Sequence, residues 1–83
     1  MNIVLYSKPG CHLCDDARVL LEDLAAEIAF DLDEVDIRDD PAIFERYRYR
    51  IPVICVNGHE LVEGRISAQD LAVGIAQFGS AGS

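Results

Sequence analysis

Two cysteines separated by two residues, Cys11 and Cys14, are the side chains of this sequence best suited to chemistry. They follow a short apolar run at residues 3–5, which predicts a strand, and they open a segment with helical spacing. Unpaired backbone N–H groups at a helix N-terminus favour the thiolate, which is the nucleophilic form of cysteine. Because Cys14 lies one helical turn after Cys11, its sulfur can reach the first and close a disulfide. The pattern predicts thiol–disulfide redox chemistry, with Cys11 as nucleophile and Cys14 as resolving cysteine.

The same cysteines are compatible with two other roles, a metal site and a purely structural one. Together with Cys55 and His59 they have the spacing of a zinc site. A two-residue turn at Asn57–Gly58 would place Cys55 and His59 on opposite faces of a hairpin, so that they could not share one ion. We therefore expect no metal site of this kind and a buried Cys55. The alternatives to an oxidoreductase are an iron–sulfur or zinc carrier that uses Cys11 and Cys14, and a non-catalytic adaptor.

Charged neighbours act on the predicted nucleophile in opposite directions. His12 and Lys8 can stabilise a Cys11 thiolate by their positive charge, although each is also compatible with a merely solvated side chain. Asp15 and Asp16 suit the helix dipole but disfavour a nearby thiolate. One such carboxylate is worth about 1–2 kcal/mol at about 6–8 Å, which is comparable to the helix dipole. The sequence leaves this balance open.

Composition and charge restrict the class of protein. The 83 residues are 51% hydrophobic and carry a net charge of −8, which fits one small globular domain. An acidic chain disfavours nucleic acid and anionic membranes as partners, and no apolar run is long enough to span a bilayer. The N-terminal residues lack the features of a signal peptide, and the count of three cysteines is odd. We therefore expect a cytoplasmic monomer rather than a secreted disulfide scaffold.

One basic and aromatic stretch, residues 46–50, runs against this acidic background. Its simplest interpretation is the C-terminal end of a helix, where cations favour the helix dipole. The alternative is a local basic rim beside Pro52 that meets a carboxylate of a substrate or of an acidic partner.

Hydrophobic periodicity and turn residues predict the order βαβαββα. A change of phase between Leu32 and Val35 predicts a bulge or an early end in the second strand. Asp40–Pro41 predicts a helix start, Asn57–Gly58 a type I′ hairpin, and Ser67 the cap of the last helix. The predicted strands are residues 2–6, 30–37, 53–56 and 60–63, and the predicted helices are residues 13–28, a short helix from Pro41, and residues 67–78, before a flexible tail at 79–83. A four-stranded mixed sheet covered by three helices is the smallest form of the thioredoxin fold.

Three segments resemble the glutaredoxins, and with them the likeness extends over about residues 2 to 78 of a predicted domain at residues 1–78. The run Tyr6–Cys14, with Lys8 three residues before the first cysteine, is similar to the family's active-site segment. Ile51–Val53 resembles its Val-Pro segment, whose proline is cis and faces the active site. Glu63–Ser67 lies where the family has a Gly-Gly pair followed by serine or aspartate and a further aspartate.

The resemblance implies an α/β protein with the minimal thioredoxin or glutaredoxin fold, acting through a dithiol without a bound cofactor. It implies that substrates are disulfides of proteins or small molecules, reduced with electrons from glutathione or a thioredoxin-reductase-type enzyme. An extended substrate would pair with the backbone N–H and C=O of Ile51, beside a cis Pro52. The residues that the resemblance places near the substrate are Lys8, Ile51, Pro52, Gly64 and Ser67.

Departures from the family pattern predict weak glutathione binding. Glu63 replaces the first glycine of the pair and brings negative charge towards the glutathione carboxylates. Ser67 replaces the acidic residue that holds the glutathione amino group, and His12–Leu13 replaces the usual Pro-Tyr between the cysteines. Loss of one charge-assisted contact costs about 1.5–3 kcal/mol. We therefore predict that a protein reductase is the better electron donor.

Overall fold

The computed structural model describes the backbone of residues 1–81 and the side chains up to residue 77. Its elements follow the order predicted from the sequence, βαβαββα, with one added 3₁₀ turn at Ile37–Asp39. The strands and helices are β1 Asn2–Ser7, α1 His12–Ala25, β2 Asp31–Asp36, α2 Pro41–Tyr47, β3 Val53–Val56, β4 His59–Glu63 and α3 Ala68–Ala81. No helix in the described part of the chain is long and apolar enough to cross a membrane.

The four strands form one mixed sheet in the order β2–β1–β3–β4. Strand β1 pairs parallel to β2 and antiparallel to β3, and β3 pairs antiparallel to β4. This is the four-stranded mixed sheet that the sequence predicts. Because β1 and β3 are antiparallel neighbours, β1 ends beside the start of β3.

Each face of the sheet has its own core. On one face, Ile3 and Leu5 of β1 and Ile54 of β3 pack against residues of α1 and α3, among them Leu21 and Leu71. On the other face, a cluster forms beneath α2 and the 3₁₀ turn; it contains Val4, Tyr6, Ile37, Ile43, Phe44, Tyr47, Ile51, Val53 and Cys55. Alternating side chains of the two central strands therefore hold both helical layers in place.

Local capping signals act as the sequence predicts. The Asp40 carboxylate accepts hydrogen bonds from the N–H groups of Ala42, at 2.8 Å, and Ile43, at 3.4 Å, and Pro41 occupies the first helical turn. The Ser67 hydroxyl accepts the N–H of Asp70 at 3.0 Å. These bonds satisfy backbone donors that a helix start leaves without intrahelical partners.

Two helix ends differ from the prediction. Helix α1 ends at Ala25, three residues before the predicted end. A further turn follows, in which the Ile28 N–H donates to the Leu24 carbonyl at 2.9 Å, and this turn places Ile28 against the core. Helix α3 continues to Ala81, through residues predicted as tail, because glycine and serine weaken a helix without breaking its hydrogen-bonded backbone as proline does. The Phe78 side chain and residues 82–83 lie outside the described parts.

The predicted change of phase in the second strand is an early strand end. Strand β2 stops at Asp36, and Ile37 turns into the 3₁₀ helix, where it is fully buried. The predicted hairpin also forms, with positive φ at Asn57 (50°) and Gly58 (84°), as a type I′ turn requires.

The hairpin contains a bulge that the sequence does not predict. Cys55 is paired with Glu60, but the preceding residue of β3, Ile54, is paired with Val62, so Leu61 is an extra residue in β4. Leu61 and Val62 consequently both pack on the core under α3. Gly74 of α3 makes room for this, since a Cβ there would lie 3.0 Å from Leu61 side-chain carbons.

Candidate functional site

Cys11 caps helix α1 with its sulfur. Its backbone is extended, with φ −95° and ψ 108°, and its Sγ accepts the N–H of Cys14 at 3.2 Å. The Cys11 carbonyl accepts the N–H of Asp15 at 3.1 Å, which begins the helical hydrogen-bond ladder. A backbone N–H directed at sulfur, together with the positive end of the helix dipole, stabilises negative charge on that sulfur. Cys11 is only half-buried, so this sulfur is within reach of a substrate.

Cys14 lies in the opposite environment. It is fully buried on the inner face of α1, and burial is the main reason that the pKa of its thiol is raised to about 12. A hydrogen bond to the Cys11 side chain raises this pKa further, whereas a hydrogen bond to the Lys8 backbone lowers it. The two sulfurs predicted to act together are therefore brought together, one accessible and one protected.

The predicted charged neighbours are all exposed around Cys11. Lys8 lies in the loop after β1, and His12 is the first residue of α1. Asp15 and Asp16 follow on the first turn, and Asp15 pairs with Arg18 at 2.9 Å. This ion pair offsets part of the negative charge that Asp15 would otherwise place beside the dithiol.

Behind the loop lies a hydrogen-bonded network that the sequence did not reveal. The Ser7 hydroxyl, which is buried, donates to Glu34 at 2.7 Å, and Arg18 donates two further bonds to the same carboxylate, both 2.6 Å long. Arg18 first, and then Ser7, hold the pKa of Glu34 below its usual range. The three residues come from β1, β2 and α1, so no local spacing could have found them.

This network lines a cleft of about 300 Å³ directly beside the redox loop. Lys8 and Pro9 of the loop form one side of the cleft, and Asp36 at the end of β2 forms another. Because Ser7 immediately precedes Lys8, the Ser7–Glu34 bond fixes the point from which the loop departs.

Pro52 lies beside the same loop, and its peptide bond with Ile51 is cis, as the resemblance implied. Tyr6 of β1 pairs with Val53 of β3 in antiparallel register. Pro52, one residue before Val53, therefore lies next to Ser7, where the chain leaves β1 and leads to Cys11. The Ile51 N–H donates to the Tyr47 carbonyl at 3.1 Å, as the last bond of the turn that ends α2, so the predicted pairing of Ile51 with a substrate stays a prediction. Pairing with a substrate through both backbone groups of Ile51 would require that bond to break.

Gly64 and Ser67 have structural roles near this loop. The Gly64 N–H donates to the Pro52 carbonyl at 2.8 Å, and the φ of Gly64 is +72°, a conformation that favours glycine. Ser67 is exposed and caps α3. Gly64 is thus joined to the cis-proline loop, whereas Ser67 lies at the start of the next helix.

The basic stretch at residues 46–50 is the end of helix α2, and its arginines are held in ion pairs. Arg46 lies in the last turn of α2 and contacts Glu60 at 3.3 Å. Arg48 contacts Glu45 at 3.3 Å, and Arg50 contacts Glu63 at 2.8 Å. The three side chains are thus paired within the protein, and the alternative of a basic rim that meets a substrate carboxylate stays a prediction.

The zinc set considered from the sequence is not assembled. Cys55 is buried, and this burial is the main reason that its pKa is raised. In the hairpin register Cys55 lies opposite Glu60, whereas His59 lies opposite Val56. Cys55 and His59 are thus on opposite faces, as predicted. Within residues 1–81, no group of three or more His, Cys, Asp and Glu side chains could hold a metal ion.

Comparison with known proteins agrees with this geometry. The profile of the Glutaredoxin-like domain (DUF836) matches residues 2–76. The chain is similar to the crystal structure of protein XcR50 from X. campestris, with 33% identity, coverage of 90% of this chain and 96% of that one, and a TM-score of 0.75. It is also similar to the solution structure of protein Ne2328 from Nitrosomonas europaea, with 27% identity, coverage of 87% of both chains and a TM-score of 0.73.

A third similar structure, thioredoxin 1 from Thermosipho africanus, shares the fold at low identity. It is 14% identical, with coverage of 99% of this chain and 98% of that one, and its TM-score is 0.73. The sheet order, the helix layers and this similarity give the thioredoxin fold. Since the family profile covers almost the whole chain, including the two cysteines and the cis-proline loop, the chain belongs to the family of glutaredoxin-like domains.

Proposed function

We propose that this protein is a thiol–disulfide oxidoreductase that works through Cys11 and Cys14. The proposal rests on one observation, the asymmetry of the two sulfurs. The Cys11 sulfur is accessible and accepts a backbone N–H at a helix N-terminus, whereas Cys14 is fully buried and hydrogen-bonded to it. An exposed, stabilised nucleophile with a protected second thiol in contact is the arrangement that disulfide exchange needs.

The reaction then proceeds in two exchanges. The Cys11 thiolate attacks one sulfur of the substrate disulfide, forms a mixed disulfide and releases the other half of the substrate as a thiolate. In the second exchange the Cys14 sulfur attacks the Cys11 sulfur, the bond between Cys11 and the substrate breaks, and the departing substrate sulfur takes up the Cys14 proton. The thiolate released in the first exchange takes its proton from water. The substrate gains two electrons and leaves as two thiols, while the protein is left with a Cys11–Cys14 disulfide.

A reductant must restore the dithiol. We propose a thioredoxin-reductase-type enzyme as the better donor and glutathione as the weaker one, because Glu63 and Ser67 depart from the family's glutathione-binding pattern. Substrates are protein or small-molecule disulfides, in the cytoplasm, with the protein acting as a monomer and without a bound cofactor or nucleic acid. The high negative charge supports the exclusion of nucleic acid.

Single-turnover reduction of hydroxyethyl disulfide tests the proposal. The reduced protein should form an internal Cys11–Cys14 disulfide, the Cys14→Ser variant should stop at a mixed disulfide on Cys11, and the Cys11→Ser variant should form neither. Cys55→Ala is the control and should react as the parent does. Absence of the internal disulfide in the parent, or a mixed disulfide that forms equally well in Cys11→Ser, would leave the non-catalytic adaptor as the better hypothesis.

A further inference from the structure

The bulge in β4 places two glutamates on one face of the sheet. Without it, Glu60 and Glu63, three residues apart, would point to opposite faces. With Leu61 as the extra residue, Glu60 lies opposite Cys55 and Glu63 lies opposite Val53. Cys55 and Val53 both belong to the core beneath α2, so both carboxylates lie on the α2 side of the sheet.

On that face the two carboxylates hold Arg50. Arg50 donates to both oxygens of Glu63, with bonds of 2.8 to 3.3 Å, and also to Glu60. Its guanidinium lies 5.2 Å from the centre of the Tyr47 ring. Arg46 completes the group by contacting Glu60 at 3.3 Å. We call these four charged residues, Arg46, Arg50, Glu60 and Glu63, the Arg50 cluster; its two positive and two negative charges cancel.

The Arg50 cluster lies along the cis-proline loop. Arg50 directly precedes the Ile51–Pro52 peptide in the chain, and Glu63 directly precedes Gly64, whose N–H donates to the Pro52 carbonyl at 2.8 Å. The ion pair between Arg50 and Glu63 therefore joins the two segments that meet at Pro52. If the proposed function holds, a disulfide attacked by Cys11 lies against this loop and close to the cluster.

We propose that Glu63, assisted by Glu60, is a specificity-determining residue that makes the site discriminate against anionic disulfides. By occupying Arg50, the two carboxylates withdraw the cation that directly precedes the cis Ile51–Pro52 peptide from any carboxylate on the substrate. Arg65, just beyond Gly64, is exposed and forms no ion pair with another residue of the described part. Because Arg65 is still able to meet a substrate carboxylate, anionic disulfides should react more slowly and not be excluded. Neutral and cationic disulfides are the preferred substrate class.

The test compares three disulfides in single-turnover oxidation of the reduced protein at low salt. Glutathione disulfide is anionic, hydroxyethyl disulfide is neutral and cystamine is cationic. In Glu63→Gln the rate constant for glutathione disulfide, relative to the neutral one, should rise about three- to tenfold, as expected for one charge at about 7 Å. The relative rate constant for cystamine should fall, and both changes should shrink in high salt because the charges are screened.

Two further variants separate a freed Arg50 from a simple change of net charge. Glu45→Gln removes one exposed carboxylate, paired with Arg48 on α2, and should leave the ratios nearly unchanged. In the Arg50→Gln background, Glu63→Gln should lose most of its effect on the anionic disulfide. Glu60→Gln should act in the same direction as Glu63→Gln, and it tests the proposal independently should that variant fold poorly.

The outcomes distinguish this inference from the proposed function on which it rests. If the parent reacts with the neutral disulfide but Glu63→Gln and Glu60→Gln keep the parent ratios, or if Glu45→Gln changes them equally, the specificity proposal is overturned and the oxidoreductase stands. If the parent reacts with none of the three disulfides, the proposed function fails and the specificity proposal fails with it.

Discussion

Cys11 and Cys14 are three residues apart, yet they differ in access and in hydrogen bonding. Cys11 is half-buried and receives the Cys14 N–H, whereas Cys14 is fully buried, with its pKa raised to about 12. Burial also raises the pKa of Cys55, on the other face of the sheet. Exposure and thiolate character together decide which thiol reacts first.

Alkylation at mildly acidic pH should therefore label Cys11 before either of the other cysteines. Cys14 and Cys55 should react only slowly, since each is buried and holds its proton more tightly than an ordinary thiol. Digestion followed by mass mapping at short reaction times measures the order. Labelling in denaturant is the control and should reach all three cysteines at similar rates. Early labelling of Cys14 or Cys55 in the folded protein would contradict the assignment of the nucleophile.

Replacing Cys55 with alanine should cost stability but not activity. Cys55 is 5% exposed and packs in the core beneath α2, so Cys55→Ala should lower the free energy of unfolding by about 1–2 kcal/mol. Denaturant melts measure the loss, and single-turnover disulfide reduction measures activity. Loss of activity in a variant that keeps its stability would show that Cys55 takes part in the chemistry after all.

At the scale of the elements, the Ser7–Glu34–Arg18 network connects β1, β2 and α1 beside the redox loop. Glu34 receives one bond from Ser7 and two from Arg18. Ser7 ends β1 and Arg18 lies four residues after Cys14 on α1, so the network sets the distance between the loop and the helix that carries the dithiol. The Arg50 cluster makes a similar connection between α2 and β4.

This network predicts a dependence of stability on pH. The pKa of Glu34 is lowered in the folded protein from its ordinary value of about 4.5, first by Arg18. The folded state therefore binds this proton less readily than the unfolded chain does. Its contribution to stability is complete above the unfolded pKa and is lost as pH falls through the folded pKa. Glu34→Gln should thus cost about 0.5–1 kcal/mol near neutral pH, and less in acid.

Denaturant melts of the parent and Glu34→Gln from neutral pH into the acid range give this difference directly. Glu22→Gln, which removes another exposed glutamate, from α1, is the matched control and should show no such convergence. A difference between parent and Glu34→Gln that stays constant, or grows, as pH falls would show that the Glu34 bonds do not carry the effect.

The elements were predictable where the signal is local and not where it depends on register. Asp40, Asn57–Gly58 and Ser67 each fix a helix start or a turn through their own backbone, and all three form as predicted. The bulge at Leu61 depends on how β4 packs on α3, so alternation along the strand could not reveal it. The same holds for the bond from Ile51 to Tyr47, which depends on how α2 ends.

At the scale of the whole molecule, the order of elements was enough to predict the sheet and its layers. Apolar runs of period two and a helical period alternate along the chain, and a parallel pair followed by a hairpin allows few arrangements. The ion-pair clusters were not predictable, because their members come from elements that meet only after folding. Arg50 and Glu63 are an example. From the sequence, Arg50 was a possible contact for a substrate carboxylate and Glu63 a source of repulsion for the glutathione carboxylates, whereas in the fold the two form an ion pair.

Net charge is the property of the whole chain with the clearest consequence for stability. Fifteen acidic residues against seven basic ones leave a charge of −8 on a molecule whose radius of gyration is 12.2 Å. Self-repulsion of this size destabilises a compact state. The ion pairs oppose it, but they lie at the surface, where each contributes about 0–1 kcal/mol and is itself screened by salt. Repulsion among unpaired carboxylates should therefore be the larger of the two effects.

Moderate sodium chloride should consequently stabilise the protein. Raising the ionic strength from about 0.1 M to about 0.5 M shortens the screening length from about 10 Å to about 4 Å, which weakens repulsion among charges spread over the molecule more than attraction between paired ones. We expect the free energy of unfolding to rise by about 1 kcal/mol, measured by urea melts, since urea adds no charge of its own. Potassium chloride is the control and should act alike, because screening depends on ionic strength and not on the cation. A decrease in stability with either salt would show that the ion pairs, and not the unpaired carboxylates, dominate the electrostatics of the fold.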